Sequence, residues 1–281
     1  MNSPSPLSNL WVTGAGGLIG HHFAAAAARL GRWNVIPLTR TDLDLLDQSS
    51  VAARFQSEQP AVVVHCAAMS KTPACHANPQ LARRTNVDAT RQLAELLADG
   101  RFIFFSTDLV FDGRRGNYTE TAEPNPLHVY GETKVAAETD VRRHPRHLIV
   151  RTSLNFGTSP TGDRSFNEEM LAAVRSGRKL SLFTDEFRNP LTVDATVTAV
   201  LELLLAGATG TVHVAGDRRL SRWEIGEFLA RRHPELRGMI APESLRSYQG
   251  PPRAPDTSLD CSKARRLLGR IIPGLRPETG P

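Results

Sequence analysis

The sequence predicts an α/β protein: a doubly wound parallel sheet covered by helices on both faces, with a small C-terminal lobe. Three observations carry this. Short β-branched or aromatic runs alternate with longer stretches rich in Ala, Leu and Glu, the rhythm of strand, crossover helix and parallel strand. Nearly all of the early runs are apolar throughout, as strands buried on both faces must be. The first run also ends in a glycine-rich turn that opens directly into a helical stretch, the arrangement of a Rossmann-type nucleotide-binding half.

Taken in order, strands are expected at residues 10–13, 35–38, 61–65, 102–106 and 147–152, with helices at 18–30, 51–57, 86–97 and 129–143 between them. Beyond residue 155 the pattern loosens at Gly157, Pro160 and Gly162, then yields a helix at 166–176 and a strand at 179–183. A helix at 193–206 and a strand at 211–214 follow. Ser221 with Glu224 three residues on has the form of a capping box, starting a helix at 222–232. The Pro-rich stretch 250–255 reads as an extended connector before a last helix at 262–268.

The 281 residues are 40% hydrophobic and 22% charged, enough apolar mass for a full core. Lys and Arg exceed Asp and Glu by 34 to 29, a net +5 that is scattered rather than gathered in a polybasic tract. Neither nucleic acid nor a membrane surface is therefore expected as a partner, whereas an anionic small molecule fits. Cys66, Cys75 and Cys261 are odd in number and form no C-x-x-C pair, which argues for a reducing compartment without disulfides. Residues 1–6 have no basic n-region or apolar h-region, so a cytoplasmic location is expected. The nine histidines form no H-x-x-x-H or H-E-x-x-H grouping, and no metal is expected.

Three motifs carry chemistry. Gly14, Gly17 and Gly20 form G-x-x-G-x-x-G between the first strand and first helix. Glycine there permits the turn, the approach of backbone to a pyrophosphate and close helix–strand packing, with the helix N-terminus facing the phosphates. The second strand then ends in Thr39-Arg40 with no acidic residue at its tip. An arginine there neutralises a ribose 2′-phosphate, which tilts the cofactor toward NADP over NAD; Asp42, two residues on, is the competing ribose contact. Finally, Tyr130 and Lys134 stand at i, i+4 on one helix face. An ammonium near a phenol favours phenolate, so Lys134 is expected to bring the Tyr130 pKa down toward neutrality and make a proton donor for a carbonyl under reduction. The hydroxyl residue Thr107 ends a buried strand, at the sheet edge where such folds bind ligands. The expected division is a dinucleotide-binding domain over residues 1–155, catalytic helix included, and a substrate-binding lobe over 156–281 that partly returns to the sheet.

Several strings extend these motifs: Val63-Val64-His65-Cys66-Ala67-Ala68, Thr85-Asn86-Val87-Asp88, Ser106-Thr107-Asp108-Leu109-Val110-Phe111-Asp112-Gly113, Asn125-Pro126-Leu127-His128-Val129-Tyr130-Gly131 and Arg151-Thr152-Ser153. With them the chain resembles the extended short-chain dehydrogenase/reductases, and more narrowly the dTDP-4-dehydrorhamnose reductase family, over nearly its whole length. The resemblance implies reduction of a 4-keto group on a nucleotide-linked deoxysugar by NADPH or NADH, with a homodimer as a compatible assembly. It implies that Tyr130 gives the proton, Lys134 lowers its pKa and holds the nicotinamide ribose, and Thr107 hydrogen-bonds the reacting oxygen. Gly14, Gly17, Leu18 and Ile19, with Gly20 behind them, would cradle the pyrophosphate. Asp44 and Leu45 would contact adenine, Cys66, Ala67 and Ala68 would lie along the cofactor, and Asn86 would steady the adjacent loop.

On the substrate side the resemblance implies roles for Asp108 and for Leu154, which stands where the family tends to carry tryptophan. Arg188, in the loop Phe187-Arg188-Asn189-Pro190, has the planar fork for a diphosphate or sugar, a surface turn arginine being the alternative. Asp108 either tunes the proton donor or caps a loop. The stretch Met69-Ser70-Lys71-Thr72-Pro73-Ala74-Cys75 departs from the family's tyrosine-containing acidic segment, in the region where substrate should sit. Two other readings stay open. One is an epimerase or dehydratase of the same superfamily; the other is a non-catalytic, dinucleotide-binding regulatory subunit.

Overall fold

The apolar runs of the first half pair with one another as parallel strands. In the computed structural model, which describes residues 7–276, β1 (Asn9–Thr13) lies between β2 (Asn34–Leu38) and β3 (Val62–His65). β4 (Arg101–Thr107) pairs with β3, and β5 (His147–Thr152) pairs with β4. Four short strands follow: β6 (Asn155–Phe156), β7 (Leu180–Phe183), β8 (Phe187–Arg188) and β9 (Leu191–Thr192). Then β10 (Gly210–Val214) returns to pair with β5 and completes a six-stranded sheet of order β10-β5-β4-β3-β1-β2. β11 (Leu220–Ser221) pairs with β8, and β12 (Ile240–Glu243) pairs with β7. The doubly wound Rossmann-like sheet is thus observed, and its strand order reverses between β1 and β3, where such sheets open a crevice at the carboxyl edge. The N-terminal run read for targeting lies outside the described residues.

Helices cover both faces. α1 (Leu18–Leu30), α2 (Gln48–Glu58), α3 (Thr72–Ala77), α4 (Pro79–Arg83) and α5 (Ala89–Leu97) precede β4, and α6 (Val129–Val141) precedes β5. α7 (Phe166–Arg175), α8 (Val193–Leu205), α9 (Arg222–Arg232) and α10 (Ser262–Leu268) follow. The strands' alternation assigns side chains to two layers. Leu10, Val12, Val62, Val64, Ile103 and Val150 pack with Phe23 of α1 and Val197 and Val200 of α8. Trp11, Val63, Phe102, Phe104 and Ile149 point the other way, onto Leu93 and Leu97 of α5 and Ala137 and Val141 of α6. The first layer draws on both sides of residue 155, since Leu191, Val212, Val214, Ala264 and Ile272 belong to it. The lobe has a core of its own, built on Phe156, Met170, Leu182, Ile225 and Phe228.

Local signals decide most element starts. Ser221 and Glu224 form the expected reciprocal capping box, and Ser165 with Glu168 forms a second one at α7. The expected helix over 86–97 begins later, at Ala89, because the chain before it makes a π turn over Arg84–Asp88. There the Ala89 N–H donates to the Arg84 carbonyl, five residues back. The stretch 69–75, which departs from the family segment, enters α3 at Thr72 with Pro73 in the first turn, where a missing N–H costs nothing.

Candidate active site

The glycine corner is assembled by close backbone approach. Gly14 has φ +71°, and a Cβ there would lie 2.6 Å from the Ala67 nitrogen and 2.8 Å from the Cys66 carbonyl carbon. A Cβ on Gly20 would lie 2.4 Å from the Gly14 carbonyl oxygen, so α1 can start against the turn only without one. The Gly17 N–H donates to Gly14 O at 2.9 Å. Gly17, Leu18, Ile19 and Gly20 therefore bring the N-terminus of α1, which has no acidic residue in its first turn, beside Cys66, Ala67 and Ala68 at the end of β3. Bare backbone at a helix N-terminus suits a pyrophosphate, so the residues present fit a dinucleotide.

The tip of β2 borders this corner, the Ala15 N–H donating to Leu38 O at 3.1 Å. Arg40 is exposed there. Asp42 is turned back into its own loop, accepting from the Thr39 N–H at 2.9 Å and the Thr39 hydroxyl at 2.6 Å. Those bonds, foremost the hydroxyl's, hold its carboxyl below the usual range. Asp44 lies in the same loop, and Leu45 lines a cleft of about 440 Å³ with Leu46, Arg84 and Asp88. A larger cavity, about 780 Å³, is lined by Phe55, Pro60, Leu96, Leu97 and Arg146 and by none of the motif residues.

Across the carboxyl edge, α6 presents Tyr130, Lys134 and Glu138 on one face. Gly131 brings it there: a Cβ on Gly131 would stand 2.4 Å from Leu109 O, so only glycine lets α6 press on the turn that follows Thr107. Burial pushes the Tyr130 phenol above its ordinary value, a hydrogen bond with Thr107 pulls it back, and the Asp108 charge pushes it further up. The expected depression of the phenol is thus reversed, because the phenol is itself buried and its own desolvation outweighs its polar neighbours. Lys134 is buried too, with Nζ 3.8 Å from the centroid of the Phe104 ring. Burial brings its pKa down to about 7 despite the opposing charge of Glu138.

Glu138 and Arg151, which sequence reasoning did not assign to the site, anchor this helix face. The fully buried Glu138 accepts from Arg151 Nε at 2.9 Å and Nη2 at 2.7 Å, from Ser106 Oγ at 2.6 Å and from Arg142 Nη2 at 2.7 Å. Burial works to raise its pKa, and the Arg151 and Ser106 bonds more than offset that. The i+8 spacing of Glu138 from Tyr130 was the available signal.

Asp108 ties the sheet edge to the lobe. Its Oδ2 accepts from Ser153 Oγ at 2.7 Å and Thr257 Oγ1 at 3.1 Å, and stands 3.7 Å from Arg188 Nε. Arg188 is buried, with its Nη1 on the carbonyls of Phe187 and Ala254 and its Nη2 on Glu186 at 3.0 Å. It is neither a surface arginine nor one with its fork turned to open solvent. The buried Glu186 also binds Arg222 at 2.9 Å and Arg253 through two bonds. Burial raises its pKa, but Arg222, Arg188 and Arg253 together bring it down to about 2. Burial lowers the pKa of His128, at the start of α6, and the charges of Arg253 and Arg188 lower it further against the pull of Glu186. Leu154 is half-buried and packs on the lobe core.

Asn86, in the π turn, does hold the loop beside the corner: it bonds both the N–H and the carbonyl of Met69, at 2.8 and 3.0 Å. Among the described residues no group of three His, Cys, Asp or Glu side chains could hold a metal ion, and no helix is long and apolar enough to cross a membrane.

The model of the RmlD substrate binding domain matches residues 8–279. The chain is 31% identical to a probable low-salt glycan biosynthesis reductase of Haloferax volcanii, covering 95% of each chain. It is 28% identical to the methionine adenosyltransferase 2 subunit beta of Xenopus laevis, over 98% of this chain and 88% of that one. Among solved structures, a dTDP-4-dehydrorhamnose reductase of Bacillus anthracis in complex with NADP superposes with a TM-score of 0.84 at 24% identity, covering 95% of both chains.

Proposed function

The chain belongs to the RmlD substrate binding domain family, and from that premise we propose that it reduces a 4-keto group on a nucleotide-linked deoxysugar at the expense of NADPH or NADH. The observation that carries the reading is the juxtaposition at the carboxyl edge. A corner closed to a Cβ at Gly14 and Gly20, with Gly14 packed on Cys66, lies within reach of the Lys134 charge, which acts on Cys66. Lys134 in turn stands one helical turn from a phenol that burial keeps protonated.

A nicotinamide dinucleotide, when bound, supplies the hydride. The protein supplies the rest. Gly14, Gly17 and the first turn of α1 receive the pyrophosphate, with Leu45 toward adenine and Cys66, Ala67 and Ala68 along one side. Arg40, exposed at the β2 tip while Asp42 is held in its own turn, favours a 2′-phosphate and hence NADP. The Thr107 hydroxyl holds the substrate carbonyl oxygen, and Tyr130 Oη donates its proton there as the carbon is reduced to the alcohol. Lys134, a helical turn away and balanced near neutrality, stabilises the phenolate left on Tyr130 and returns a proton to it. The lobe closes the sugar side, with Asp108 and Arg188 fixing its position and Leu154 forming part of its wall.

The test is oxidation of NADPH and NADH against a panel of nucleotide-linked 4-keto-deoxysugars, with Tyr130→Phe run in parallel. Turnover with at least one sugar is expected, and the variant should lose about a hundredfold or more while dinucleotide affinity stays within about twofold. Equal turnover in the variant overturns the mechanism. The likeness to a methionine adenosyltransferase subunit along nearly the whole chain favours one second reading, a dinucleotide-binding regulatory subunit. Dinucleotide binding with no turnover on any keto-sugar, together with a stoichiometric partner enzyme, would select it.

A further inference from the structure

A buried chain of hydrogen bonds runs from the glycine corner to the first turn of α6, and His65 is its middle. Thr13, His65, Asn86 and Thr90 are each at most 1% exposed. Thr13 and His65 stand opposite each other at the ends of β1 and β3, with Thr13 Oγ1 2.7 Å from His65 Nδ1. On its other side His65 Nε2 lies 2.9 Å from Thr90 Oγ1, which donates to the Asn86 carbonyl at 2.7 Å. The Asn86 side chain clamps Met69 and donates to Thr133 Oγ1 at 2.9 Å, and Thr133 donates to the Tyr130 carbonyl at 2.8 Å.

The proton positions follow from the partners. The single Thr90 hydroxyl proton is used on a carbonyl, so Thr90 must accept from His65 Nε2–H. His65 Nδ1 is then an acceptor, and Thr13 donates to it while receiving the Ala67 N–H at 3.4 Å. A neutral imidazole has one donor and one acceptor, the only form that fits both neighbours. Burial and the nearby Lys134 hold His65 in that form, with a pKa of about 3. An amide of similar reach could satisfy one neighbour but would not span both.

We propose that His65, with Thr13 and Thr90, is a positioning relay: its Thr13 end sets the turn that receives the dinucleotide, and its Thr90 end sets, through Asn86, the loop at Met69 and the backbone of Tyr130. The proposal rests on the reductase reading for its kinetic consequence but not for its geometry. Thr13→Val and Thr90→Val each remove one hydroxyl while keeping shape, so they cut the relay at opposite ends. Thr90→Val is expected to lower kcat about tenfold or more with KM for the dinucleotide within about twofold. Thr13→Val is expected to do the reverse, and Thr13→Ser and Thr90→Ser, which restore the hydroxyls, to recover wild-type values. A purely structural role would lower Tm in both without dividing kcat from KM, and that result overturns the proposal, as does the same kinetic change from both variants. If the wild-type protein turns over no keto-sugar, the reductase reading fails separately. The relay is then judged by NADPH affinity and amide exchange. Faster exchange at Met69 in Thr90→Val with unchanged NADPH affinity supports it, and unchanged exchange at Met69 overturns it.

Discussion

The glycine corner and the helix face opposite it hold their geometry by contrary means. At the corner the backbone is the active material: Gly14, Gly17 and Gly20 present nothing beyond N–H and C=O groups, and at Gly14 and Gly20 an added Cβ would overlap backbone atoms. On the α6 side the material is charged side chains taken out of water, with Glu138 against Arg151 and Arg142, Glu186 against three arginines, and Lys134 against an aromatic ring. The first arrangement fails by steric overlap, the second by an uncompensated charge. They should therefore break differently.

The largest break is expected on the charged side. Glu138→Gln leaves Arg151 charged in the core with no anion, which should cost about 3–5 kcal/mol and lower Tm by about 10 °C in a thermal melt. The low pKa of Glu138 adds a pH signature: its contribution is present above the ordinary carboxylate value and is lost as pH falls below that toward its depressed folded pKa, so the variant should converge on wild type in acid.

Gly20→Ala tests the corner. The new Cβ meets the Gly14 carbonyl, a backbone atom with no rotamer to yield, and should cost about 1–3 kcal/mol, independent of pH. Dinucleotide affinity, followed by NADPH fluorescence, should fall with it. A variant as stable as wild type and binding as well would remove the distinction between the two regions.

The third expectation runs the other way, because Lys134 destabilises the fold that it serves. Its folded pKa of about 7 lies below the ordinary 10.5. The cost of the buried ammonium is complete below pH 7 and falls away as pH rises toward 10.5. Lys134→Met should accordingly raise Tm by a few degrees at pH 6.5, with a smaller gain at pH 9.5, while abolishing turnover. A gain that grows with pH would contradict the assignment.

The same contrast explains what could be read from the sequence. Gly14 to Gly20, Tyr130 and Lys134 are local patterns, each requiring one turn of chain to be recognised, and the sheet followed from apolar runs whose period is also local. Glu186 meets Arg253 across 67 residues and Asp108 meets Thr257 across 149; no spacing rule connects such pairs before the fold brings them together. Asn86 is visible in the sequence as a polar residue at the start of a helical stretch, but the π turn that carries it and its bonds to Met69 and Thr133 belong to tertiary structure. The Tyr130 pKa departs from expectation for a related reason: the i, i+4 ammonium is legible in the sequence, whereas the burial that raises the phenol comes only with the fold.

The return of β10, α8 and α10 to the first layer sets a timetable for biosynthesis. Leu10 and Phe23 emerge from the ribosome early, yet the layer that packs with them includes Val197, Val212, Ala264 and Ile272, so the first five strands wait, only partly covered by α1 on that face, until translation is almost finished. A nonsense mutation between β5 and residue 260 would release a sticky half-sheet instead of a smaller working protein, and the lobe, threaded between two parts of that sheet, could not be exchanged as a simple C-terminal cassette.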